Sequence, residues 1–296
     1  MSITYDYYRI FYYVAKYKSF TQAARLLYNN QPNITRSMNN LEHELGCRLF
    51  VRSNRGVTLT PEGETLYAHV SIAFEQIHNA EMELADSKGL QKGIITLGAS
   101  ETALHSLVLS TLRKFHRAYP GIRIRISNHS TPQAISALKA GLSDFAVVTT
   151  PTNVSRPLIE IPLKPYQEIL VASQQFSFLK RTEFHLEDIL KYPFICLGKH
   201  TKTYEFYRQL FLKYNLNFQP DIEASTTDQI LPMIQHDLGI GFIPKSFAKE
   251  ALEKEEVFQI PLVEPIPERS ICLIKDTSHP LSIAARELEK MILKPN

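Results

Sequence analysis

The stretch that decides the fold is residues 19–65, which read SFTQAARLLYNNQPNITRSMNNLEHELGCRLFVRSNRGVTLTPEGET. Ser19, followed by Gln22 three positions later, has the pattern of a helix capping box. Small apolar residues beginning at Ala23 then allow this first helix to pack closely against a neighbour. A Tyr-Asn turn at residues 28–29 follows, so this part of the chain predicts a short helix that ends in a tight turn.

A second helix is predicted directly after this turn. Asn30 can cap it, Pro32 suits its first turn because no amide hydrogen is needed there, and Gly46 can end it. Its apolar positions recur at helical spacing on one face, namely Ile34, Met38, Leu41 and Leu45. The other faces carry Arg, Asn, Gln and Thr, whose donors and acceptors match base edges in the major groove. Such a helix after a short helix and a turn is typical of helix-turn-helix DNA binding.

Residues 49–59 form two short β-prone runs around an Asn-Arg-Gly turn, which predicts a hairpin. Arg48, Arg52 and Arg55 lie on or beside it, where phosphates would lie if the second helix entered the groove. For a single polar helix face, simple solvation is the alternative. Because the cap, the apolar stripe, the base-reading side chains and the basic hairpin occur together, the sequence favours a winged helix-turn-helix that binds DNA. The predicted DNA contacts are Gln31, Pro32, Asn33, Thr35, Arg36, Asn40, Arg52 and Arg55.

The same residues resemble a known family. The resemblance is carried by residues 20–27 (FTQAARLL), the Gln31-Pro32 pair, residues 41–50 (LEHELGCRLF) and residues 59–63 (LTPEG). These runs look like the N-terminal domain of LysR-type transcriptional regulators. The resemblance implies a dimeric or tetrameric bacterial regulator with a periplasmic-binding-protein-like effector domain. It also implies that the positions matching Gln31, Pro32, Thr35 and Arg36 meet the DNA.

For such a protein we expect four partners: double-stranded DNA, a small-molecule effector, RNA polymerase and further copies of the chain. Since a two-fold dimer presents two recognition helices, its operator should be an interrupted inverted repeat. The effector that we expect is a small polar metabolite carrying a carboxylate, because hydroxyl groups and amide groups at helix N-termini can together replace the hydration of an anion.

Charge is unevenly distributed along the 296 residues, whose formal net charge is +3. Residues 1–60 contain eight Lys or Arg and three acidic residues, a balance of +5, so the remainder carries −2. This asymmetry indicates that only the N-terminal segment meets a polyanion. The sequence has three widely spaced cysteines, which predicts reduced thiols. It shows neither the basic-then-apolar pattern of a leader nor an apolar run of membrane-spanning length, so we expect a cytoplasmic protein.

Thr60 can cap a long helix that begins at Pro61 and runs to about Lys88. Spacings of four and three, typical of a coiled-coil seam, relate Leu66, Val70, Ala73, Ile77, Ala80 and Leu84. The helix could instead lie on its own domain, but its position between a basic unit and an α/β unit favours self-association. We therefore predict a winged helix-turn-helix domain at residues 1–60 and a dimerising linker helix at residues 61–89.

From residue 93 the pattern becomes strand then helix, repeatedly, beginning with the apolar residues 94–97. Such alternation predicts an α/β fold with a parallel, doubly wound sheet. A second α/β unit begins near Glu168, and the chain then returns to the first unit with residues 271–274. We therefore predict a two-lobed effector-binding domain at residues 93–296, with lobe I at 93–162 and 267–296 and lobe II at 163–266.

Hydroxyl side chains follow several predicted strands, where helix N-termini would offer free amide groups to a ligand. Any single one of them is more simply a helix cap. Because they cluster at equivalent strand ends, they predict an effector site of Ser100, Thr102, Thr131, Thr149, Thr201 and Thr227. Lys199 and His200 would suit an anionic effector, such as a carboxylate, whereas Glu101 would suit a cationic or hydroxylated one. The sequence leaves the charge of the effector open.

Catalytic signatures do not occur in the sequence. It contains no G-x-S-x-G, H-E-x-x-H or G-x-x-x-x-G-K motif, and its ten histidines lack metal-ligand spacing. We therefore expect no enzyme activity, no cofactor and no metal. Two alternatives to a regulator are a solute-binding receptor whose N-terminal segment only binds protein, and a cleft enzyme. The missing leader and the basic N-terminal segment disfavour the receptor, and the missing nucleophile–base pairs disfavour the enzyme.

Overall fold

The computed structural model describes residues 3–53, 56–85, 90, 92–128, 130–181 and 184–294. Contacts divide the chain into two compact units, Met1–Ala85 and Asp86–Asn296. The elements of the first unit are α1 (Tyr5–Tyr17), α2 (Phe20–Leu26), α3 (Gln31–Leu45), β1 (Phe50–Ser53), β2 (Gly56–Leu59) and α4 (Pro61–Ala85). The predicted order of helix, turn, helix, hairpin and long helix is confirmed, with α1 preceding it.

The ends of α2 and α3 form as their sequences predict. Ser19 Oγ accepts a hydrogen bond from the amide of Gln22 at 3.2 Å, and Asn30 Oδ1 accepts one from the amide of Asn33 at 2.9 Å. Gly46 ends α3 with a φ of 69°, a left-handed conformation that glycine adopts without steric cost. These local interactions set where the two helices begin and end.

The apolar stripe of α3 lies in the core of the first unit. Ile34, Met38 and Leu41 are fully buried, together with Phe11 and Val14 of α1. Burial of each large apolar side chain contributes about 1.5–3 kcal/mol to stability. The stripe therefore fixes the rotation of α3 and leaves its polar face outside the core.

α4 has 25 residues rather than the predicted length of about 28, and its N-terminal half packs on the first unit. Val70 is buried there, and Phe74 stacks on Tyr12 of α1 with ring centroids 4.7 Å apart. Val70 is therefore not available to an intermolecular seam, because the aromatic residues of α1 cover that part of the stripe. Ile77 is 40% exposed. The side chains of Ala80 and Leu84 lie outside the described residues.

The second unit contains two five-stranded sheets, which we call lobe I and lobe II together with their helices. Lobe I has the strand order β4-β3-β5-β12-β6, and lobe II has the order β11-β7-β10-β8-β9. The strands of lobe I are β3 (Gly93–Ala99), β4 (Ile122–Asn128), β5 (Phe145–Thr149), β6 (Leu158–Tyr166) and β12 (Arg269–Asp276). Those of lobe II are β7 (Glu168–Ser173), β8 (Phe194–Leu197), β9 (Ile222–Ala224), β10 (Ile240–Pro244) and β11 (Val257–Ile260).

Helices cover these sheets, and apolar clusters bury both faces of each sheet. The helices are α5 (Glu101–Ala103), which continues through a π-helical turn (Leu104–Val108) into α6 (Leu109–Ala118), then α7 (Thr131–Lys139), α8 (Leu186–Ile189), α9 (Lys202–Lys213), α10 (Ile230–Gln235), α11 (Lys245–Glu253) and α12 (Ile283–Leu293). Short 3₁₀ turns occur at Gln174–Arg181 and Thr227–Gln229. Within the described ranges, none of the helices is both long and apolar enough to cross a membrane.

The sheets are mixed, so the prediction of a parallel sheet is correct for only part of each lobe. β3 pairs in parallel with β4 and β5, whereas β12 runs antiparallel to β5 and β6. In lobe II, β10 is parallel to β8 and antiparallel to β7. The antiparallel arrangement arises at the crossings, since the chain leaves lobe I through β6 and re-enters it through β12 at the same end. β12 thus lies in the sheet of lobe I, between β5 and β6.

Candidate functional site

The polar face of α3 forms a shallow surface at the start of this helix. The surface is lined by Gln31, Pro32, Thr35, Arg36, Asn39 and Asn40. All of these except Asn39 were predicted DNA contacts, and the structure places them side by side. We call this set the α3 surface. Its amide, guanidinium and hydroxyl groups are of the types that form hydrogen bonds with base edges.

Neighbouring helices hold the α3 surface in place. Thr21 Oγ1 of α2 donates a hydrogen bond to Gln31 Oε1 at 3.1 Å. Asn40 Nδ2 donates one to the hydroxyl oxygen of Tyr7 in α1 at 3.2 Å. Two of the polar side chains are thus oriented by bonds within the protein, which lowers the entropy that any partner would have to remove on binding them.

Asn33 does not line the α3 surface, although it was predicted to contact DNA. Its Nδ2 donates to Asn29 Oδ1 at 3.1 Å, so the side chain stabilises the turn between α2 and α3. In the same turn Tyr28 is 99% exposed and has a φ of 50°. Sequence reasoning treated Tyr28 only as a turn residue, and no local pattern indicates its exposure.

A buried carboxylate connects α3 to the hairpin that follows it. Glu42 is 7% exposed, and its Oε1 accepts hydrogen bonds from the amides of Leu49 at 2.7 Å and Phe50 at 3.1 Å. The sequence of α3 does not predict these two hydrogen bonds, because Leu49 and Phe50 lie beyond the end of the helix. Glu42 therefore fixes the entry into β1 relative to α3.

The predicted phosphate contacts of the hairpin are only partly described. Arg48, which precedes β1, has a side chain that is 82% exposed, with its Nη1 3.9 Å from Glu42 Oε2. The side chain of Arg52 and the whole of Arg55 lie outside the described residues. Of the three arginines on or beside the hairpin, the structure describes the exposure of Arg48.

A cavity of about 260 Å³ lies between the two lobes at the ends of their strands. It contains all six predicted effector-site residues, Ser100, Thr102, Thr131, Thr149, Thr201 and Thr227. Also in its wall are Glu101, Ser130, Gln133, Leu197, His200, Lys202, Thr203, Ser225 and Thr226. Leu197 is the one aliphatic side chain among these lining residues. We call this space the inter-lobe cavity. Lys199, the other cation considered in the sequence, is not among its lining residues.

Several of these hydroxyls already have partners within the protein. Thr201 Oγ1 accepts a hydrogen bond from the amide of Tyr204 at 3.1 Å, so it caps α9 as the simpler interpretation requires. Thr131 Oγ1 donates to the carbonyl of Thr149 at 3.1 Å. Ser100 differs from them because its Oγ is buried and has no hydrogen-bond partner among the described residues. An unsatisfied buried hydroxyl costs about 1–3 kcal/mol, which a ligand could recover.

Glu101 and Lys202 of the cavity wall each have a side-chain partner. Glu101 Oε1 lies 2.8 Å from Nε2 of His105, and Lys202 Nζ lies 2.6 Å from Glu205 Oε2. Because these side chains are paired, the amide and hydroxyl groups of the wall determine the sign of the electrostatic potential in the cavity. Helices α7 and α9 both begin at the cavity wall, and the partial positive charge at helix N-termini favours an anion there.

Sequence reasoning missed a buried ion pair beside this cavity. Arg269, at the start of β12, is 2% exposed, and its Nη1 lies 2.8 Å from Oε1 of Glu168, which is 4% exposed at the start of β7. Burial raises the pKa of Glu168, while the positive charge of Arg269 opposes that rise. Burial also raises the pKa of the neighbouring Tyr166 well above its usual value. The two partners are 101 residues apart, so no sequence pattern indicates the pair.

Arg269 makes further hydrogen bonds to both lobes. Its Nε donates to the carbonyl of Thr150 at 2.8 Å, and its Nη2 donates to Oγ1 of Thr149 at 3.3 Å. The same Nη2 donates to Oγ1 of Thr203 in α9 at 3.2 Å. Thr149 of lobe I and Thr203 of lobe II both line the inter-lobe cavity, and a single guanidinium therefore connects the two lobes at its wall.

Comparison with known protein families covers both units of the chain. A family model described as a bacterial regulatory helix-turn-helix protein of the lysR family matches residues 5–64. A second, described as the LysR substrate binding domain, matches residues 88–294.

Similar proteins span the whole chain. One is described as "Probable RuBisCO transcriptional regulator" of Guillardia theta, which is 26% identical over 99% of this chain and 96% of its own length. Another is the HTH-type transcriptional regulator YbhD of Escherichia coli, 24% identical over 96% of this chain and 89% of its own length.

Solved structures show the same fold. CbnR, determined in complex with its target DNA, superposes with a TM-score of 0.73 over 99% of both chains at 16% identity. A full-length OxyR variant of Pseudomonas aeruginosa gives a TM-score of 0.64 at 21% identity, over 99% of this chain and 93% of that one. Because the two family models together account for most of the sequence, the chain belongs to the LysR family and is a DNA-binding transcriptional regulator with an effector-binding domain, not an enzyme.

Proposed function

We propose that this regulator reads an interrupted inverted-repeat operator with the α3 surface and changes its DNA binding when a small polar metabolite, carrying a carboxylate, enters the inter-lobe cavity. The observation that carries the second part is the cavity itself. Hydroxyl groups from the ends of strands in both lobes line it, and the buried Ser100 Oγ has no hydrogen-bond partner in the part of the chain that the structure describes.

For DNA, the division of roles follows from position. Thr35 and Arg36 lie in the α3 surface, so they discriminate between bases, while Arg52 and Arg55 hold phosphates. Gln31 and Asn40 are preoriented by Thr21 and Tyr7, which supports their role as base contacts. Asn33 acts through the turn that positions α3.

For assembly, we propose that residues 1–60 form the DNA-binding domain, that residues 61–89 pair with the same helix of a second chain, and that residues 93–296 bind the effector. The exposed Ile77 of α4 supports this pairing, since it extends the stripe beyond the part that α1 covers. Two-fold pairing of α4 would set the distance between two α3 helices, and hence the spacing of the operator half-sites. Contact with RNA polymerase in the cytoplasm belongs to the same proposal.

For the effector, we propose a carboxylate because hydroxyls and helix N-termini line the cavity, while Glu101 and Lys202 of its wall already have partners in His105 and Glu205. Such a ligand would contact both lobes at once. Binding then favours whichever arrangement of the lobes brings these groups together, and the difference in affinity between the arrangements sets the size of the response.

The test is selection of bound sequences from a random DNA pool by the full chain, with and without a pool of small carboxylates. We expect one interrupted inverted repeat to be enriched and its affinity to change when an effective carboxylate is present. Thr102→Val should abolish that change while DNA binding without effector stays near the wild-type level. Enrichment of no sequence would refute the DNA-reading role of the α3 surface, and equal responses of wild type and Thr102→Val would refute the role of the cavity.

A further inference from the structure

The environment of Arg269 fixes the direction of two hydrogen bonds at the inter-lobe cavity. A guanidinium group carries five N–H donors and no acceptor. The hydroxyls of Thr149 and Thr203 must therefore accept the hydrogen bonds from its Nη2, one hydrogen going to each. Each hydroxyl keeps its own proton for donation to a different acceptor. Both hydroxyls also line the cavity.

The same guanidinium is held rigidly from the opposite side. Its Nη1 pairs with Glu168 and its Nε donates to the carbonyl of Thr150. Aromatic rings enclose it, with its central carbon 5.0 Å from the ring centre of Phe206 and 5.5 Å from that of Tyr166. Four hydrogen bonds and two rings hold its plane, and Arg269 is not among the residues that line the cavity. It acts on the cavity through the two threonines.

These contacts also join the lobes at the places where the chain crosses between them. Glu168 begins β7 directly after the first crossing, and Arg269 begins β12 directly after the second. Thr149 belongs to lobe I and Thr203 to lobe II. A change in the distance between the lobes would therefore alter the hydrogen bonds of Arg269 and the two threonines together.

Resting on the proposed effector role of the cavity, we infer that Arg269 is a positioning residue that turns the Thr149 and Thr203 hydroxyls into proton donors and thereby selects small ligands with anionic oxygens. An oxyanion accepts from both hydroxyls, and the polarisation by the guanidinium strengthens these bonds. A ligand that offers only donors leaves the protons of both hydroxyls without an acceptor. The unpaired hydroxyl of Ser100 supplies a further group at the wall.

The alternative explanation is that the positive charge of Arg269 alone attracts anions. Arg269→Lys separates the two explanations because lysine keeps the charge but offers three donors from one nitrogen atom, which cannot reach all the acceptors that the guanidinium fork spans. A second pair of variants leaves Arg269 and Glu168 intact. Thr203→Val removes the hydroxyl at nearly constant volume, and Thr203→Ser retains it.

The experiment is calorimetric titration of the full chain with sodium malonate, sulfate and phosphate at constant ionic strength, with neutral malonamide as the comparison for malonate. We expect wild type and Thr203→Ser to bind at least one oxyanion and to prefer malonate to malonamide. Arg269→Lys and Thr203→Val should each lower the oxyanion affinity by about tenfold or more, with a smaller change for malonamide.

Three results would overturn the inference: no binding of any oxyanion to wild type, wild-type affinity in Arg269→Lys, or wild-type affinity in Thr203→Val. If Arg269→Lys does not fold, the comparison of Thr203→Val with Thr203→Ser still decides. The titration involves no DNA, so the expected pattern would support the role of Arg269 even if no metabolite altered operator binding. Failure of the proposed regulation and failure of this inference are thus distinguishable.

Discussion

Replacing Glu42 should loosen the DNA-binding unit without altering the α3 surface itself. Glu42→Ala removes the acceptor of two amides, those of Leu49 and Phe50, whose residues are 1% and 5% exposed. A buried amide left without a partner costs about 1–3 kcal/mol, so we expect a loss of roughly 2–6 kcal/mol in the stability of this unit. Glu42→Gln retains an oxygen acceptor and should lose only about 1 kcal/mol, because the hydrogen bonds are no longer charge-assisted.

Amide hydrogen exchange of the full chain measures this effect within the first unit. Exchange at Leu49 and Phe50 should become faster in Glu42→Ala, and affinity for DNA should fall because the hairpin is no longer held against α3. Glu44→Ala is the matched control, since Glu44 lies two residues further along the same helix and is exposed. Its effect should stay within about 0.5 kcal/mol. Unchanged exchange at both amides in Glu42→Ala would show that another group satisfies them and that this reasoning is wrong.

Arg36→Ala should weaken operator binding by about 1–3 kcal/mol and relax base discrimination, measured by a competition titration. A loss of affinity without a change of base preference would show that Arg36 contacts phosphate and not bases. Ile77→Asp should lower the oligomer mass measured by sedimentation and leave the first unit folded, because the side chain of Ile77 is 40% exposed whereas Val70 is buried. An unchanged mass would argue against pairing through α4. The hydrogen bond that His185 donates to the Glu264 carboxylate raises the pKa of His185 above its ordinary value of 6.5. The stability that this group contributes is therefore present below that pH and is lost as pH rises through the raised pKa. Burial alone would raise the pKa of Glu264, but its hydrogen bonds, first the one from His185, outweigh burial and lower this pKa. The stability that Glu264 contributes is therefore present above its ordinary pKa of 4.5 and is lost only as pH falls through the lowered pKa. The thermal midpoint should therefore decline from about pH 6 to about pH 8 more in wild type than in His185→Gln, and parallel curves would show that the pair adds nothing.

Local sequence was sufficient wherever the interaction that forms an element lies within a few residues. The caps Ser19 and Asn30, the glycine at position 46 and the stripe of Ile34, Met38 and Leu41 are all found where the sequence predicts them. Each depends on bonds between neighbours along the chain or on the periodicity of one helix. The hydroxyls at strand ends could be anticipated for a related reason, because the carboxyl ends of parallel strands meet at one edge of a sheet.

β6 shows where local pattern was available but incomplete. Residues 158–166 alternate in burial, yet Pro162 and Pro165 interrupt the run and argue against a strand in a sheet interior. The strand forms because it lies at the edge of lobe I, where a missing amide hydrogen is tolerated. Only the position within the sheet decides this.

The sequence by itself therefore determined the helix-turn-helix, its hairpin and the long helix, since short-range interactions specify them. It also identified the hydroxyls that follow the strands, because the order of strands and helices places them at strand ends. The tertiary structure alone decided that Val70 packs inside its own unit, that the Glu42 carboxylate accepts from the amides of Leu49 and Phe50, and that Arg269 meets Glu168 beside the cavity. These pairings join groups whose distance depends on the path of the whole chain. Neither residue composition nor periodicity encodes that path, because the free energy that selects it is summed over the entire core.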